Sequence, residues 1–155
     1  MTSIKPIATD IGRAAVLLPL SLAQVCVMLT DRHSLSVRRL VHAVMGIFLG
    51  ALSLVAVGVE LLFIARGVLY GLVDQGPYDT SWGGPTRAGA WVAHFAVGLP
   101  IAVAAMALLW SIAGINDRLG ARLVRGERIG VWVLPTALLA CAGGAVFVVA
   151  WLHQI

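Results

Sequence analysis

Few residues of this 155-residue chain could do chemistry, and the most notable ones lie inside apolar segments. Glu60 and His94 are each about six residues, or roughly 9 Å, from the ends of such segments. Because intramembrane ionisable groups normally face protein or water, we expect these two within direct or water-bridged hydrogen-bonding reach. Arg87 and Arg66 would complete an intramembrane polar cluster. Two interpretations stay open, an interhelical clasp and a proton or ligand site.

No established catalytic or cofactor motif accompanies these residues. The sequence contains no metal-binding histidine motif, phosphate-binding glycine loop or nucleophile–base set. Cys26 and Cys141 lie inside apolar segments, which gives no support to a disulfide or a cysteine metal site. His42 and His94 would be on the order of 25 Å apart along the membrane normal, too far to share a haem. We therefore expect no enzymatic activity, no metal and no cofactor.

The composition indicates an integral membrane protein. The chain is 60% hydrophobic and 12% charged, with a mean hydropathy of +0.96, which exceeds what a soluble core can bury. The net charge of +4 is carried mainly by arginines in short connecting segments, where helix orientation explains them, so we expect no nucleic-acid partner. The preference for arginine over lysine is typical of GC-rich bacterial genomes and points to a bacterial cytoplasmic membrane.

Four apolar segments are each long enough to cross a bilayer. They predict one all-α membrane domain over residues 1–155, a four-helix transmembrane bundle with helices at 14–30, 40–65, 88–115 and 129–152. The connections are predicted to be cytoplasmic loops at 31–39 and 116–128 and a longer extracytoplasmic loop at 66–87.

The orientation follows from the basic residues. Seven of the eleven lie in the loops 31–39 and 116–128, and the other four are Lys5, Arg13, Arg66 and Arg87. Because cytoplasmic loops carry the excess of Lys and Arg, both termini are predicted to be extracytoplasmic.

The loop 66–87 is rich in turn-forming and aromatic residues. Tyr70, Tyr78, Asp79 and Trp82 are its candidate contact residues, and the glycines and prolines between them are typical of tight turns. These aromatic residues suggest a loop that folds back on the helices or binds a ligand, but an interfacial aromatic cap is the favoured interpretation.

Small and polar residues form a stripe on the second predicted helix. Its members are His42, Gly46, Gly50, Ser53, Val57 and Glu60, which fall within about 80° of helix surface. Small residues let helices approach closely in lipid, so Gly46 and Gly50 should contact another helix, either within the bundle or in a homodimer. Ala137, Cys141 and Gly144 form a similar face on the fourth predicted helix.

Prolines are expected to shape the helices. Pro19, Pro100 and Pro135 each remove a backbone donor, and a bend is predicted near Pro100.

This pattern favours a non-enzymatic accessory or assembly subunit of a larger membrane complex, such as a transporter or a respiratory assembly. The alternatives are a small transporter, channel or proton-linked carrier using Glu60 and His94, and a membrane sensor with a ligand-binding outer loop. The expected partners are the lipid bilayer and other membrane subunits or further copies of the chain.

Overall fold

A computed structural model describes residues 4–31, 36–128 and 130–153, and excludes the side chains of 4–6, 147–148 and 150–152. These described residues are helical and contain no β-strand, so the all-α prediction is confirmed. The helices are α1 (Ile4–Ala15), α2 (Leu17–Thr30), α3 (Val37–Phe63), α4 (Tyr70–Val73), α5 (Arg87–Leu123) and α6 (Val133–Leu152). A π-helical turn, Ile64–Val68, follows α3 directly. Part of the predicted loop 31–39, residues 32–35, lies outside the described residues.

Within the described part of the chain, two stretches are long and apolar enough to cross a membrane, namely Val37–Val68 and Arg87–Leu123. The bent pair Ile7–Ala15 and Leu17–Thr30 would make a third span if it acts as one element. Among the described residues of α6, Val133–Val146 is a shorter apolar stretch. The helices are therefore compatible with membrane insertion.

The first predicted helix, 14–30, is replaced by two helices that meet at an angle of 56° near Val16. Pro19 explains the break, because it cannot donate to the carbonyl of Ala15 and its ring clashes with that carbonyl. The chain before the break is also helical, which the apolar segments did not predict. Pro6 is tolerated there because it lies in the first turn of α1, where backbone N–H groups have no helical acceptor.

The loop predicted at 116–128 is largely helical, since α5 continues to Leu123. Leu119 and Ala121 are buried in this extension, so it is an amphipathic continuation of an apolar helix. The non-helical connection is shorter than predicted, and α6 begins at Val133 instead of residue 129. Helix α5 passes through Pro100 as a single helix.

The chain divides into two compact units, one formed by Met1–Leu54 with Leu109–Ile155 and the other by Val55–Leu108. The first unit contains the predicted glycine face. A methyl group built at Gly50 would lie 2.5 Å from the backbone N and Cα of Leu18, and one built at Gly46 would overlap the Ser21 hydroxyl. Both glycines thus pack against α2 of the same chain.

Other predicted packing residues also lie in the first unit. Ser53 is fully buried and donates from Oγ to the carbonyl of Leu49 at 3.0 Å, and Ala137 is fully buried. A methyl group at Gly144 would lie 3.3 Å from Cδ1 of Leu52, which places this part of α6 against α3. Cys141 is half-buried and has a free thiol.

An ion pair in the first unit conflicts with the predicted orientation. Arg13 contacts Asp117 at 2.9 Å and also Asp10 at 2.6 Å. The distribution of basic residues predicts Arg13 outside the membrane and Asp117 in a cytoplasmic loop, whereas a direct ion pair requires both on one side. The predictions that Arg13 is extracytoplasmic and that residues 116–128 are cytoplasmic therefore cannot both hold. The bend at Pro19 is the physical reason, because it redirects α1.

Candidate functional site: an amphipathic cleft

The second unit contains the change in helix geometry that builds the site. In the π turn Ile64–Val68 the backbone N–H of Leu69 donates to the carbonyl of Ile64, five residues earlier, at 2.8 Å. Such turns displace side chains from the regular helical register and are common at functional sites. Arg66 and Tyr70, at the turn and just after it, acquire their positions from this irregularity.

The beginning of α5 holds the π turn and α4 in place. Nε1 of Trp91 donates to the carbonyl of Gly67 at 2.7 Å, and Nη2 of Arg87 donates to the carbonyl of Gly71 at 2.6 Å. The donors Arg87 and Trp91 are four residues apart, and so are the acceptors Gly67 and Gly71. Two successive turns of α5 therefore form hydrogen bonds with two successive turns of the facing segment. Arg87, a predicted member of the polar cluster, thus has a backbone partner.

Helix α5 begins with a side-chain cap. The hydroxyl of Thr86 accepts a hydrogen bond from the backbone N–H of Gly89 at 3.1 Å. This is the usual way to satisfy a free donor at a helix N-terminus. Gly83 and Gly84 have φ of 95° and 96°, a region that favours glycine, and they let the loop turn into the helix.

The loop before α5 folds back on the helices through its aromatic residues. Tyr70 is 2% exposed, and its ring centroid lies 4.6 Å from that of His94. The Tyr70 hydroxyl is 3.5 Å from Oγ of Ser81, and the Tyr78 hydroxyl donates to the carbonyl of Asp74 at 2.8 Å. The loop is therefore ordered by specific contacts within the second unit.

These elements enclose an open cleft of about 570 Å³. This volume lies within the range of about 300–1,000 Å³ that is usual for small-molecule sites. The polar side chains of its lining are Arg66, Tyr70, Asp74, Thr80, Ser81, Trp82 and His94. The larger apolar ones are Val59, Leu62, Phe63, Val97 and Ile101. Because the apolar residues come from α3 and α5 and most polar ones from the π turn, α4 and the loop, the lining is amphipathic.

The apolar part of the cleft is shaped by a glycine on α5. A methyl group at Gly98 would lie 2.7 Å from Cδ2 of Phe63, so the absence of a side chain makes room for that ring. Phe63 also packs against Phe95, with ring centroids 5.6 Å apart. Leu62 and Ile101 are 64% and 52% exposed, so the cleft continues into an exposed apolar surface.

The charged groups of the cleft are not paired with each other. Arg66 is exposed and makes no ion pair among the described residues. Asp74 accepts a hydrogen bond from the N–H of Gly76 at Oδ1, at 3.1 Å, and its other carboxylate oxygen has no protein donor within the described part of the chain. A free cation and a partly free anion thus line one cavity.

His94 has one ring nitrogen occupied. Its Nδ1 lies 2.8 Å from the carbonyl of Ala90 and donates to it when protonated. In that tautomer Nε2 carries a lone pair and can accept a hydrogen bond from a ligand.

Glu60 is not among the residues that line the cleft. Its Oε1 is buried and has no hydrogen-bond partner among the described residues. Within the described residues no direct hydrogen bond joins Glu60 to His94. His94 instead uses the Ala90 carbonyl and the Tyr70 ring. The water-bridged form stays a prediction.

The predicted contact residues of the loop do not all line the cleft. Trp82 lines the cleft and is 74% exposed, whereas Asp79 is exposed in a turn outside the lining. Sequence reasoning missed Asp74 and Ser81 as site residues. The glycines and prolines of the loop predicted turns, but not which cavity the Asp74 carboxylate would reach.

Buried polar atoms without partners also occur in the first unit. They are both ring nitrogens of His42 and Oδ1 of Asn116. A methyl group at Gly120 would lie 3.3 Å from Nε2 of His42, and one at Gly46 would lie 3.9 Å from Oδ1 of Asn116. His42 of α3 therefore faces Gly120 of α5, and Asn116 of α5 faces Gly46 of α3. Each helix thus places its polar group about one helical turn from that of the other.

No protein-family model matches the sequence, and neither the curated proteins nor the solved structures give a match. Among the described residues, no group of three or more His, Cys, Asp or Glu side chains could hold a metal ion.

Proposed function

We propose that this chain is a non-enzymatic accessory subunit of a larger complex in the bacterial cytoplasmic membrane, and that its cleft binds an amphipathic molecule from the bilayer. The lining of the cleft is the observation that supports binding of an amphipathic molecule. It contains a cation, an anion and hydroxyl-bearing residues next to an exposed apolar surface. Binding of a bilayer component gives such a subunit a sensory or regulatory role in its complex.

The proposed membrane arrangement keeps the four-helix bundle in a modified form. Helices α3, α5 and α6 cross the bilayer, with the loop between α4 and α5 outside. The bent pair α1 and α2 is a fourth membrane element that enters and leaves on the cytoplasmic side. The Arg13–Asp117 ion pair supports this arrangement, because it joins α1 to the end of α5. The N-terminus is then cytoplasmic and the C-terminus extracytoplasmic.

A proton-linked carrier is the second candidate. It is favoured by the buried Oε1 of Glu60, which has no partner. An unpaired carboxyl group in an apolar span is costly and is commonly retained for proton or ion transfer.

Native mass spectrometry of the full chain, gently solubilised from its own membrane, tests the proposal. We expect a complex with stoichiometric unrelated subunits and a retained small amphipathic molecule. Val97→Trp, which fills the apolar part of the cleft, should reduce retention of that molecule. Val92→Trp changes an exposed residue of the same helix outside the cleft lining and should leave it intact.

Two results count against the proposal. A monodisperse homo-oligomer without other chains would contradict the accessory role and favour the carrier. Absence of any bound bilayer molecule, or equal retention by the two tryptophan variants, would contradict binding in the cleft.

A further inference from the structure

We propose that the cleft recognises the zwitterionic head group of an aminophospholipid, with the lipid phosphate on Arg66 and the lipid ammonium on Asp74. This inference rests on the proposed function, since it names the chemical class of the amphipathic ligand. The occupant is a bilayer lipid, whose head lies at the polar part of the lining while an acyl chain follows the apolar part.

Arg66 supplies the phosphate site. Arg66 lines the cleft, and its guanidinium group makes no ion pair among the described residues. A guanidinium group presents parallel N–H donors that match phosphate oxygens and form charge-assisted hydrogen bonds. Arg87, the other arginine of this unit, donates to the Gly71 carbonyl and does not line this cleft. The two arginines therefore have separate roles.

Asp74 supplies the ammonium site. The Gly76 N–H holds its Oδ1, which fixes the orientation of the carboxylate and leaves acceptor capacity on the other oxygen. The hydroxyl groups of Thr80 and Ser81 line the same cavity and offer further acceptors to an N–H donor. A primary ammonium group can use several such acceptors at once, whereas a trimethylated one donates no hydrogen bond.

The combination of charges selects between classes of lipid. Arg66 and Asp74 line one cavity without an ion pair between them, so both charges remain available to a ligand. A zwitterionic phosphate–ammonium head satisfies both. An anionic head that carries only phosphate and hydroxyl groups satisfies Arg66 and leaves Asp74 as a like charge, which disfavours it.

The apolar part of the cleft suits an acyl chain. Val59, Leu62 and Phe63 on one side and Val97 and Ile101 on the other provide a continuous apolar lining. Leu62 and Ile101 remain more than half exposed, so a chain can leave the cleft toward the bilayer. Only the head group and the start of one chain need to fit inside about 570 Å³.

Lipid exchange on the purified full-length protein tests the inference. The protein is reconstituted with equimolar phosphatidylethanolamine, phosphatidylglycerol and phosphatidylcholine, extracted gently, and its retained lipid is measured by native mass spectrometry. We expect phosphatidylethanolamine to be enriched about tenfold over each of the other two, the ratio that one charge-assisted hydrogen bond supplies. Arg66→Gln should reduce the amount of all three lipids that is retained, because each carries a phosphate. Asp74→Asn should remove the preference over phosphatidylglycerol while keeping phospholipid bound.

Arg39→Gln is the matched control, because Arg39 is exposed in the first turn of α3, outside the cleft. It should behave as wild type, and an unchanged melting temperature of each variant confirms its fold. Equal retention of the three lipids by the wild type, or an unchanged preference in Asp74→Asn, overturns the inference. If a different amphipathic molecule occupies the cleft, the head-group assignment fails and the proposed function stands. If nothing is bound, both fail.

Discussion

At Gly50 the missing side chain lets two helix backbones approach. A methyl group at this position would lie 2.5 Å from backbone atoms of Leu18, which cannot move aside without shifting α2. At Gly46 the obstacle is the hydroxyl of Ser21, the end of a side chain. Close backbone approach is a main source of helix association in membranes, so Gly50 should contribute more to stability than other glycines of α3.

Gly50→Ala should lower the free energy of unfolding by about 1–3 kcal/mol, because overpacking forces the two backbones apart. Gly58→Ala is the control on the same helix, since a methyl group there meets nothing within 4 Å. It should leave stability unchanged or raise it by about 0.5–1 kcal/mol, the usual gain from alanine in a helix. Thermal unfolding in detergent measures both. Equal effects of the two substitutions would show that the α2–α3 contact does not limit stability.

At the scale of the element, sequence patterns predicted the positions of the helices better than the points where helices break or end. The long apolar segments predicted the positions of α3, α5 and α6, because a helix that spans a bilayer needs about twenty apolar residues in succession. Pro19 was visible, yet whether a proline kinks or divides a helix depends on the contacts of the neighbouring residues. The same holds for the end of α5, where burial of Leu119 extends the helix beyond its apolar segment.

The cleft was predictable only in part, for a related reason. Its arginine, histidine and loop aromatics stood out by residue type and position. Their arrangement depends on the π turn, in which Leu69 bonds to Ile64 and which contacts Trp91, a residue more than twenty positions away. Periodicity assumes a regular helix, so it could not predict that the chain after the π turn would bring Asp74 to the cleft.

The Trp91 indole should stabilise this π turn. Trp91→Phe keeps an aromatic ring near Phe95 but removes the donor to the Gly67 carbonyl, which belongs to a buried residue. Leaving a buried acceptor unsatisfied costs about 1–3 kcal/mol. We therefore expect lower stability and faster hydrogen exchange at residues 64–73.

Trp110→Phe provides the comparison for that experiment, because Trp110 is 52% exposed on the same helix. Its effect should stay within about 0.5 kcal/mol, as for most surface substitutions. Exchange at 64–73 that is the same in Trp91→Phe and wild type would mean that the π turn forms without the indole donor.

At the scale of the whole molecule, the proposed topology depends on how many times the chain crosses the bilayer. The number of arginines in each loop predicts on which side of the membrane that loop lies. It cannot detect an element that returns to the side from which it entered. The ion pair between Arg13 and Asp117 brings the first helix to the end of α5. Four apolar segments therefore need not give four crossings.

Cysteine labelling in intact cells tests this topology, in a background that lacks Cys26 and Cys141. Ala8→Cys, Thr80→Cys and Glu127→Cys introduce single thiols at exposed positions of α1, the long loop and the α5–α6 connection. Because α1 is held at the end of α5, we expect an impermeant reagent added outside to modify Thr80→Cys alone. Permeabilised cells should label all three, which controls for accessibility. Modification of Ala8→Cys but not Glu127→Cys in intact cells would place Arg13 and Asp117 on opposite sides, and the chain would then cross the membrane at its first apolar segment.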